Sequence, residues 1–112
     1  MNVLWICPGK YPKQVSIDGS LQSMQDLVGG LIQAIYPFED PVALVCNDEG
    51  KLNGLVPNRS LHDPETGKVY DIIFGNFFIC GLGEEDFDEL SPSLMEKYRT
   101  LFYYPELFIP SH

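Results

Sequence analysis

The stretch from Ser20 to Tyr36, Ser-Leu-Gln-Ser-Met-Gln-Asp-Leu-Val-Gly-Gly-Leu-Ile-Gln-Ala-Ile-Tyr, constrains the fold more than any other part of the chain. Leu21, Met24, Val28, Leu31 and Ile35 recur at intervals of three and four, the period of one helix face, and Leu27 and Ile32 widen the stripe. Gln22, Ser23, Gln25, Asp26, Gln33 and Ala34 fall on the other side. The spacing predicts an amphipathic helix over about 20–36, with one face on a core and one toward water. Asp18 or Ser20 can cap its start by accepting from the first unpaired N–H groups, and Pro37 and Pro41 bracket its exit. Gly29-Gly30 falls mid-pattern, where each glycine weakens a helix by about 0.5–1 kcal/mol relative to alanine. The expectation is that a strand, naturally the one containing Gly75, packs there too closely for any Cβ. The alternative is a groove, or a ligand approaching bare backbone.

Short apolar runs surround this segment. Val3 to Cys7, closed by Pro8-Gly9, reads as a buried strand, Gln14 to Ile17 as a second and Val42 to Cys46 as a third. Asn47-Asp48-Glu49-Gly50 reads as a type I turn with glycine in the left-handed position, closing a bulged hairpin that returns through Lys51 and Leu52. Asp63-Pro64-Glu65-Thr66-Gly67 separates Arg59 to His62 from Lys68 to Tyr70 as a small hairpin. Asp71 to Cys80 reads as the strongest strand, with Gly75 marking a bulge or a close approach. Ser91 as N-cap, Pro92 in the first helical position and Leu90 stapled to Met95 open a last helix, with Leu94, Tyr98, Leu101 and Phe102 on its apolar face and Pro105 ending it. The pattern is α+β: one domain over residues 1–112, an antiparallel or mixed sheet of roughly five strands, and two helices on one face of it.

Sixteen acids against seven bases give a net charge of −9. Glu84, Glu85, Asp86, Asp88 and Glu89 cluster around Phe87. Such a field repels phosphate, so direct nucleic-acid binding is not expected, whereas a basic protein would be attracted; the structural reading is a solvated loop. The longest uncharged apolar stretch, Leu27 to Phe38, is shorter than a membrane span and is broken by glycine and proline. No basic region followed by a long apolar run opens the chain, so no secretory leader is expected and a cytoplasmic location follows. Cys7, Cys46 and Cys80 each end an apolar run without Cys-x-x-Cys spacing or a nearby histidine, which predicts reduced core thiols, no zinc site and no cofactor. A nucleophilic cysteine would need His62 or His112 as its base.

The polar candidates for chemistry are Asn47, Asp48, Glu49, Asn58, Arg59 and Asp71. Arg59 can form a bidentate pair with Asp71 or Glu49, tying the 51–71 segment to the sheet, or hold a ligand carboxylate or phosphate. Leu21-Gln22, Val28-Gly29-Gly30, Asn47-Asp48-Glu49-Gly50-Lys51-Leu52, Gly54-Leu55, Asn58-Arg59 and Asp71-Ile72-Ile73-Phe74-Gly75, taken in that order, resemble a family of small domains catalogued as a domain of unknown function. The resemblance spans roughly residues 1–80 and implies a setting in bacteria, phages and mobile elements. It supplies no activity, substrate or catalytic residue. Where Gln33 and Asp48 stand the family often has Glu, so the first departure weakens any acid–base role at position 33.

Two functions compete. One is a non-enzymatic accessory domain that binds another macromolecule, a protein above all, with Glu84, Glu85, Asp86, Asp88 and Glu89 as partner-binding candidates. In a sharper form the acids would imitate DNA, which needs carboxylates spaced like phosphates over an extended surface. The other is a small-ligand domain or minor enzyme, with Asn47, Asn58, Arg59 and Asp71 converging on a pocket beside Gly29-Gly30. The apolar tail around Leu107, Phe108 and Ile109 is expected to pack on the domain or to mediate a homodimer.

Overall fold

Val3–Ile6, Val42–Cys46 and Phe77–Cys80 lie side by side as strands buried on both faces of one sheet, and this decides the architecture. The computed structural model describes residues 1–109. The elements run β1 (Asn2–Ile6), β2 (Lys13–Ser16), α1 (Leu21–Val28), β3 (Ile32–Ile35), β4 (Val42–Asn47), β5 (Pro57–His62), β6 (Val69–Phe74), β7 (Phe77–Leu82), β8 (Phe87–Asp88) and α2 (Pro92–Leu101). The main sheet has the order β2-β1-β7-β4-β3, with β8 paired to the end of β7, and every pairing is antiparallel. β5 and β6 form a separate two-stranded sheet. The fold is α+β.

Alternation along the central strands divides the core in two. Leu4, Ile6, Val42, Leu44, Cys46, Phe77 and Ile79 face one side, under α2 (Met95, Tyr98) with its flanking Leu90 and Phe102, and under the β5–β6 hairpin (Leu61, Ile73). Val3, Ala43, Val45, Phe78 and Cys80 face the other, under Met24 and Val28 of α1. The helices therefore pack on opposite faces, not on one as the sequence suggested. An unbroken apolar run demands cover on both sides, because each fully buried side chain of this size stabilises by about 1.5–3 kcal/mol. The chain supplies one helix per face, and the hairpin covers the rest of the α2 face.

The predicted helix over 20–36 is only half formed. It begins as expected, with the Ser20 hydroxyl accepting from Ser23 N at 3.1 Å and the Asp18 carboxylate accepting from Ser20 N at 2.8 Å. It ends at Val28, because Gly29 takes the left-handed conformation (φ 74°) and its N–H, like that of Gly30, donates to Gln25 O. The two following carbonyl ends are satisfied from the sheet: Trp5 Nε1–H donates to Leu27 O at 3.0 Å and Asn47 Nδ2–H to Val28 O at 3.3 Å. Ile32–Ile35 then pairs with β4, and Leu31, placed on the core side by the helical reading, is 65% exposed. Gly30 does lie against a strand, but its neighbour is the Asn47 side chain, 2.8 Å from where a Cβ would stand; Gly75 meets Leu55 instead.

Other expectations also shift. Asp71–Cys80 is two strands in two sheets, divided at Gly75 (φ 81°), and β3 and β8 raise the count of strands to eight. Lys51 and Leu52 do not return as a strand; residues 48–54 form successive turns, with Asn53 N donating to Glu49 O and Leu55 N to Gly50 O. Gly50 is not left-handed, and is required because a Cβ would stand 2.8 Å from Phe74 O. The β5–β6 hairpin and the Ser91 cap with Pro92 match the sequence reading, although α2 stops at Leu101, ahead of Pro105.

Neither glycine of the pair is helical, so substitution there gains no helix propensity. Gly29→Ala meets open space but must hold a left-handed backbone, and should destabilise by about 1 kcal/mol. Gly30→Leu displaces the Asn47 amide and should cost about 1–3 kcal/mol. Denaturant midpoints measure both, and a Gly30→Leu midpoint at or above wild type would mean that Asn47 yields freely.

Candidate functional site

A cleft of about 380 Å³ opens between the outer strand β3, the turns after β4, and β6. Gln33 and Ile35 form one wall, Asp71 to Phe74 the other, and Asn47 to Leu52 the end. Asn47 is 8% exposed and used structurally: besides its bond to Val28 O, its Oδ1 accepts from Glu49 N at 2.9 Å and shapes the turn that presents Asp48 and Glu49. Asp71 pairs with Lys51 at 2.7 Å, which draws its carboxyl below the ordinary carboxylate value. Asp48 and Glu49 are exposed and have no ion pair among the described residues. The Cys46 thiol lines the cleft and is pushed up to about 11 by burial, with Asp71 and Asp48 adding to the effect, so it stays protonated at neutral pH.

The four residues proposed from sequence to share a pocket do not converge. Asn47 and Asp71 line this cleft, whereas Asn58 and Arg59, 1% and 0% exposed, lie inside the protein. Asn58 Nδ2 donates to Ile6 O at 2.9 Å and to Gly75 O at 2.8 Å. Arg59 Nε donates to Phe102 O at 3.1 Å, one terminal nitrogen to Asn58 Oδ1 at 2.9 Å and the other to Lys10 O at 2.7 Å. Neither Asp71 nor Glu49 pairs with Arg59, which corrects the expected salt bridge: its charge is solvated by carbonyl oxygens. Burial lowers the pKa of the guanidinium, with Glu106 opposing the shift. Glu106 is joined to the same seam by accepting from Ser60 N at 2.8 Å. Sequence reasoning could not see this use of Arg59, because its partners are main-chain groups far along the chain.

Glu84, Glu85, Asp86, Asp88 and Glu89 are exposed on the β7–β8 hairpin and its exit. Glu89 accepts from Asn2 N at 3.0 Å, and the Asp86 and Asp88 carboxylates accept from the N–H groups of the residues that follow them. The cluster is confined to one tight turn and does not extend over a surface.

A second cleft, of about 410 Å³ and more apolar, lies between α2 and the β5–β6 hairpin. Phe38, Leu61, Leu101 and Phe102 wall it, with Asp40, His62 and Lys97 among its polar lining. Phe38 packs on Tyr98 with ring centroids 4.7 Å apart. Lys97 Nζ and Tyr98 O–H both donate to Asp40 Oδ2, at 2.6 and 2.7 Å. Sequence reading missed this site, whose walls come from three distant segments. His62 lines this cleft and no cysteine does, while His112 lies outside the described residues. Cys80 is pushed up to about 12 by burial, and Cys7 is also raised by burial. No group of three or more metal-ligating side chains occurs among the described residues, and none of their helices is long and apolar enough to cross a membrane.

The model of the family described as Domain of unknown function (DUF3846) matches residues 1–103. The chain belongs to that family. The DUF3846 match extends past the roughly 80 residues that carry the sequence resemblance and takes in all of α2, so the helix covering the second cleft is part of the family's domain. No curated protein and no solved structure matches this DUF3846 chain.

Two predictions follow from this geometry. Arg59→Met leaves Phe102 O, Lys10 O and Asn58 Oδ1 without their donor and should destabilise by about 3 kcal/mol or more, read as a fall in denaturant midpoint. The bonds from Lys97 and Tyr98 hold the Asp40 carboxyl below its ordinary value of 3.8, so its stabilisation is complete above that pH and is lost as pH falls through the folded value. Tyr98 is raised by burial first and by Asp40 second, so its share is complete below its ordinary value of 10 and is lost as pH rises through the folded one. Asp40→Asn should flatten the acid limb of a stability–pH profile, and an unchanged limb would remove Asp40 from acid unfolding.

Proposed function

We propose that this domain is a non-enzymatic accessory module that binds another protein, in the cytoplasmic setting of bacteria, phages or mobile elements that its family resemblance implies. The observation that carries the reading is the outer strand β3: it is the last strand of the main sheet, flanked by exposed Leu31 and Tyr36, with Leu52, 87% exposed, across the adjoining cleft. Apolar surface gathered around an open sheet edge and rimmed by carboxylates is what a protein partner recognises. Two further features support it. The most promising polar groups, Asn58 and Arg59, are consumed by buried main-chain bonds, and the thiol in the cleft is held protonated. The net charge of −9 favours a basic protein over nucleic acid. The tail offers a homodimer contact of its own, since Leu107 and Ile109 are 86% and 81% exposed.

A second reading, a small-ligand domain, is favoured by the aromatic-walled cleft beside Asp40, His62 and Lys97 rather than by the Arg59 cluster.

Capture from host lysate followed by reconstitution with the purified partner separates the two. Stoichiometric binding that weakens as salt rises from about 0.1 to about 1 M supports the protein-binding module, since the screening length falls from about 10 to about 3 Å over that range. A thermal-shift screen of metabolites and nucleotides that finds a ligand, worth about 2.7 kcal/mol at a hundredfold excess over its Kd, with no reconstituted protein complex, would replace it with the ligand reading.

A further inference from the structure

The hydrogen-bond parity of β3 can be fixed from one contact. Asp48 N–H donates to Leu31 O at 2.9 Å, and the pairing of Ile32 with Asn47 places Leu31 opposite Asp48, so 31/48 is a hydrogen-bonded pair. Bonded and non-bonded pairs alternate in an antiparallel ladder. Gln33 and Ile35 therefore direct their main-chain groups toward β4, and Ile32 and Ala34 direct theirs away from it. Among the described residues nothing accepts from or donates to those outward groups.

This edge lacks the devices that usually blunt one. No charged residue occurs from Leu27 to Phe38 and no proline from Leu31 to Tyr36, whereas β2, at the opposite edge of the sheet, begins at Lys13 directly after Pro12. The two faces beside the edge differ in chemistry. Ile32 and Ala34 pack on the core beneath α1, while Gln33 and Ile35 line the cleft that holds Asp48, Glu49 and the Lys51–Asp71 pair. A strand added here would place alternate side chains above the acidic cleft and the others beside the apolar α1 face.

We propose that the outer edge of β3 binds an extended segment of another protein by strand addition, the segment alternating basic side chains over the Asp48–Glu49 cleft with apolar ones on the α1 side. This rests on the protein-binding reading and gives it a partner chemistry. Charge selects this occupant over a second copy of the chain. Antiparallel pairing of β3 with β3 would run the Asp48–Glu49 end of one copy toward the Glu39 end of the other, bringing acid to acid between two chains that each carry −9. A basic strand meets unpaired carboxylates instead.

The test uses the whole chain and three labelled peptides in fluorescence anisotropy: Lys-Val-Arg-Val-Lys-Val-Arg-Val, the same peptide with alternate main-chain amides N-methylated, and a version with Glu in place of every base. The first should bind, more weakly at higher salt, and the other two should bind at least about tenfold less tightly. Ala34→Pro removes an outward donor without touching the β4 ladder, a placement that edge strands tolerate, and should abolish binding of the first peptide. Asp48→Lys with Glu49→Lys should lose that peptide and gain the acidic one, which keeps the test decisive if Ala34→Pro fails to fold. No binding of the first peptide, equal binding of its N-methylated form, or equal binding of the acidic form overturns the proposal. So does a concentration-dependent dimer that Ala34→Pro dissolves, because the occupant would then be a second copy. A reconstituted protein partner that Ala34→Pro leaves bound would sink strand addition while sparing the protein-binding module; absence of any partner would sink both.

Discussion

The Arg59 guanidinium is the constraint on which the assembly of the two sheets depends. It is fully buried, no carboxylate pairs with it among the described residues, and it is held by carbonyl oxygens from the β1–β2 connection, β5 and the end of α2. Burying a charge is costly unless it is hydrogen-bonded, and here all three guanidinium nitrogens have an oxygen partner. Arginine suits the position because its five N–H groups are fixed in a planar fork, so three segments that meet around it are held at set angles. Asn58 extends the clamp by bonding the ends of β1 and β6. The polar interior of this seam is therefore a joint between the β5–β6 hairpin and the main sheet.

With that joint in place, the hairpin and α2 share the cover of one face of the sheet while α1 covers the other. The division has a consequence at the margins. Where the hairpin meets α2, Phe38, Tyr98 and Phe102 pack ring on ring and leave an aromatic-walled cleft. Where it meets β3, cover runs out, and the last strand of the sheet borders an open cleft on that face. Both cavities arise because a two-stranded hairpin and a three-turn helix are too narrow to roof a sheet of this width.

Much of the fold was legible in the sequence where one local rule acts alone. The central strands, the Asp63–Gly67 turn, the Ser20 and Ser91 caps and the class of fold needed only short-range pattern. The helix over 20–36 misled because Ile32-Gln33-Ala34-Ile35 satisfies period two as well as period 3.6, and Gly29 had to be read either as tolerated within a helix or as its stop. Its left-handed φ settles the matter, and that conformation is favoured by the two helix-end carbonyls that Trp5 and Asn47 satisfy from other strands. The run from Asp71 to Cys80 misled for the reverse reason: two strands of like composition adjoin at Gly75 but belong to different sheets. The sequence brought Asn47, Asn58, Arg59 and Asp71 to one pocket, whereas the structure leaves Asn47 and Asp71 at the cleft and takes Asn58 and Arg59 inside, because type and spacing cannot tell a side chain that awaits a ligand from one already answered by distant main chain.

Of the seven bases, Lys51, Lys97 and Arg99 are in ion pairs and Arg59 is buried, so Lys10, Lys13 and Lys68 are what remains to offset the other acids. Of the sixteen acids, Asp40, Asp71 and Glu96 are the partners in those pairs. The net charge is thus not spread evenly: most of the bases are spent fastening the molecule, and while Asp18, Asp26, Glu39, Asp63, Glu65 and Glu106 lie outside ion pairs elsewhere among the described residues, unpaired carboxylates adjoin one another at the β7–β8 turn and, as Asp48 and Glu49, at the end of the cleft beside β3. At the turn, Asp86 and Asp88 bond its own main chain and Glu89 bonds Asn2 N, so three of its five carboxylates already accept main-chain N–H groups. At the cleft, Asp48 and Glu49 stand next to main-chain groups of β3 that also lack a partner, so a bound segment could satisfy charge and hydrogen bonding together there. Carboxylates alone would attract any cation and an open edge alone would accept any strand; under the proposed reading, their adjacency would narrow a partner to a basic segment in extended form.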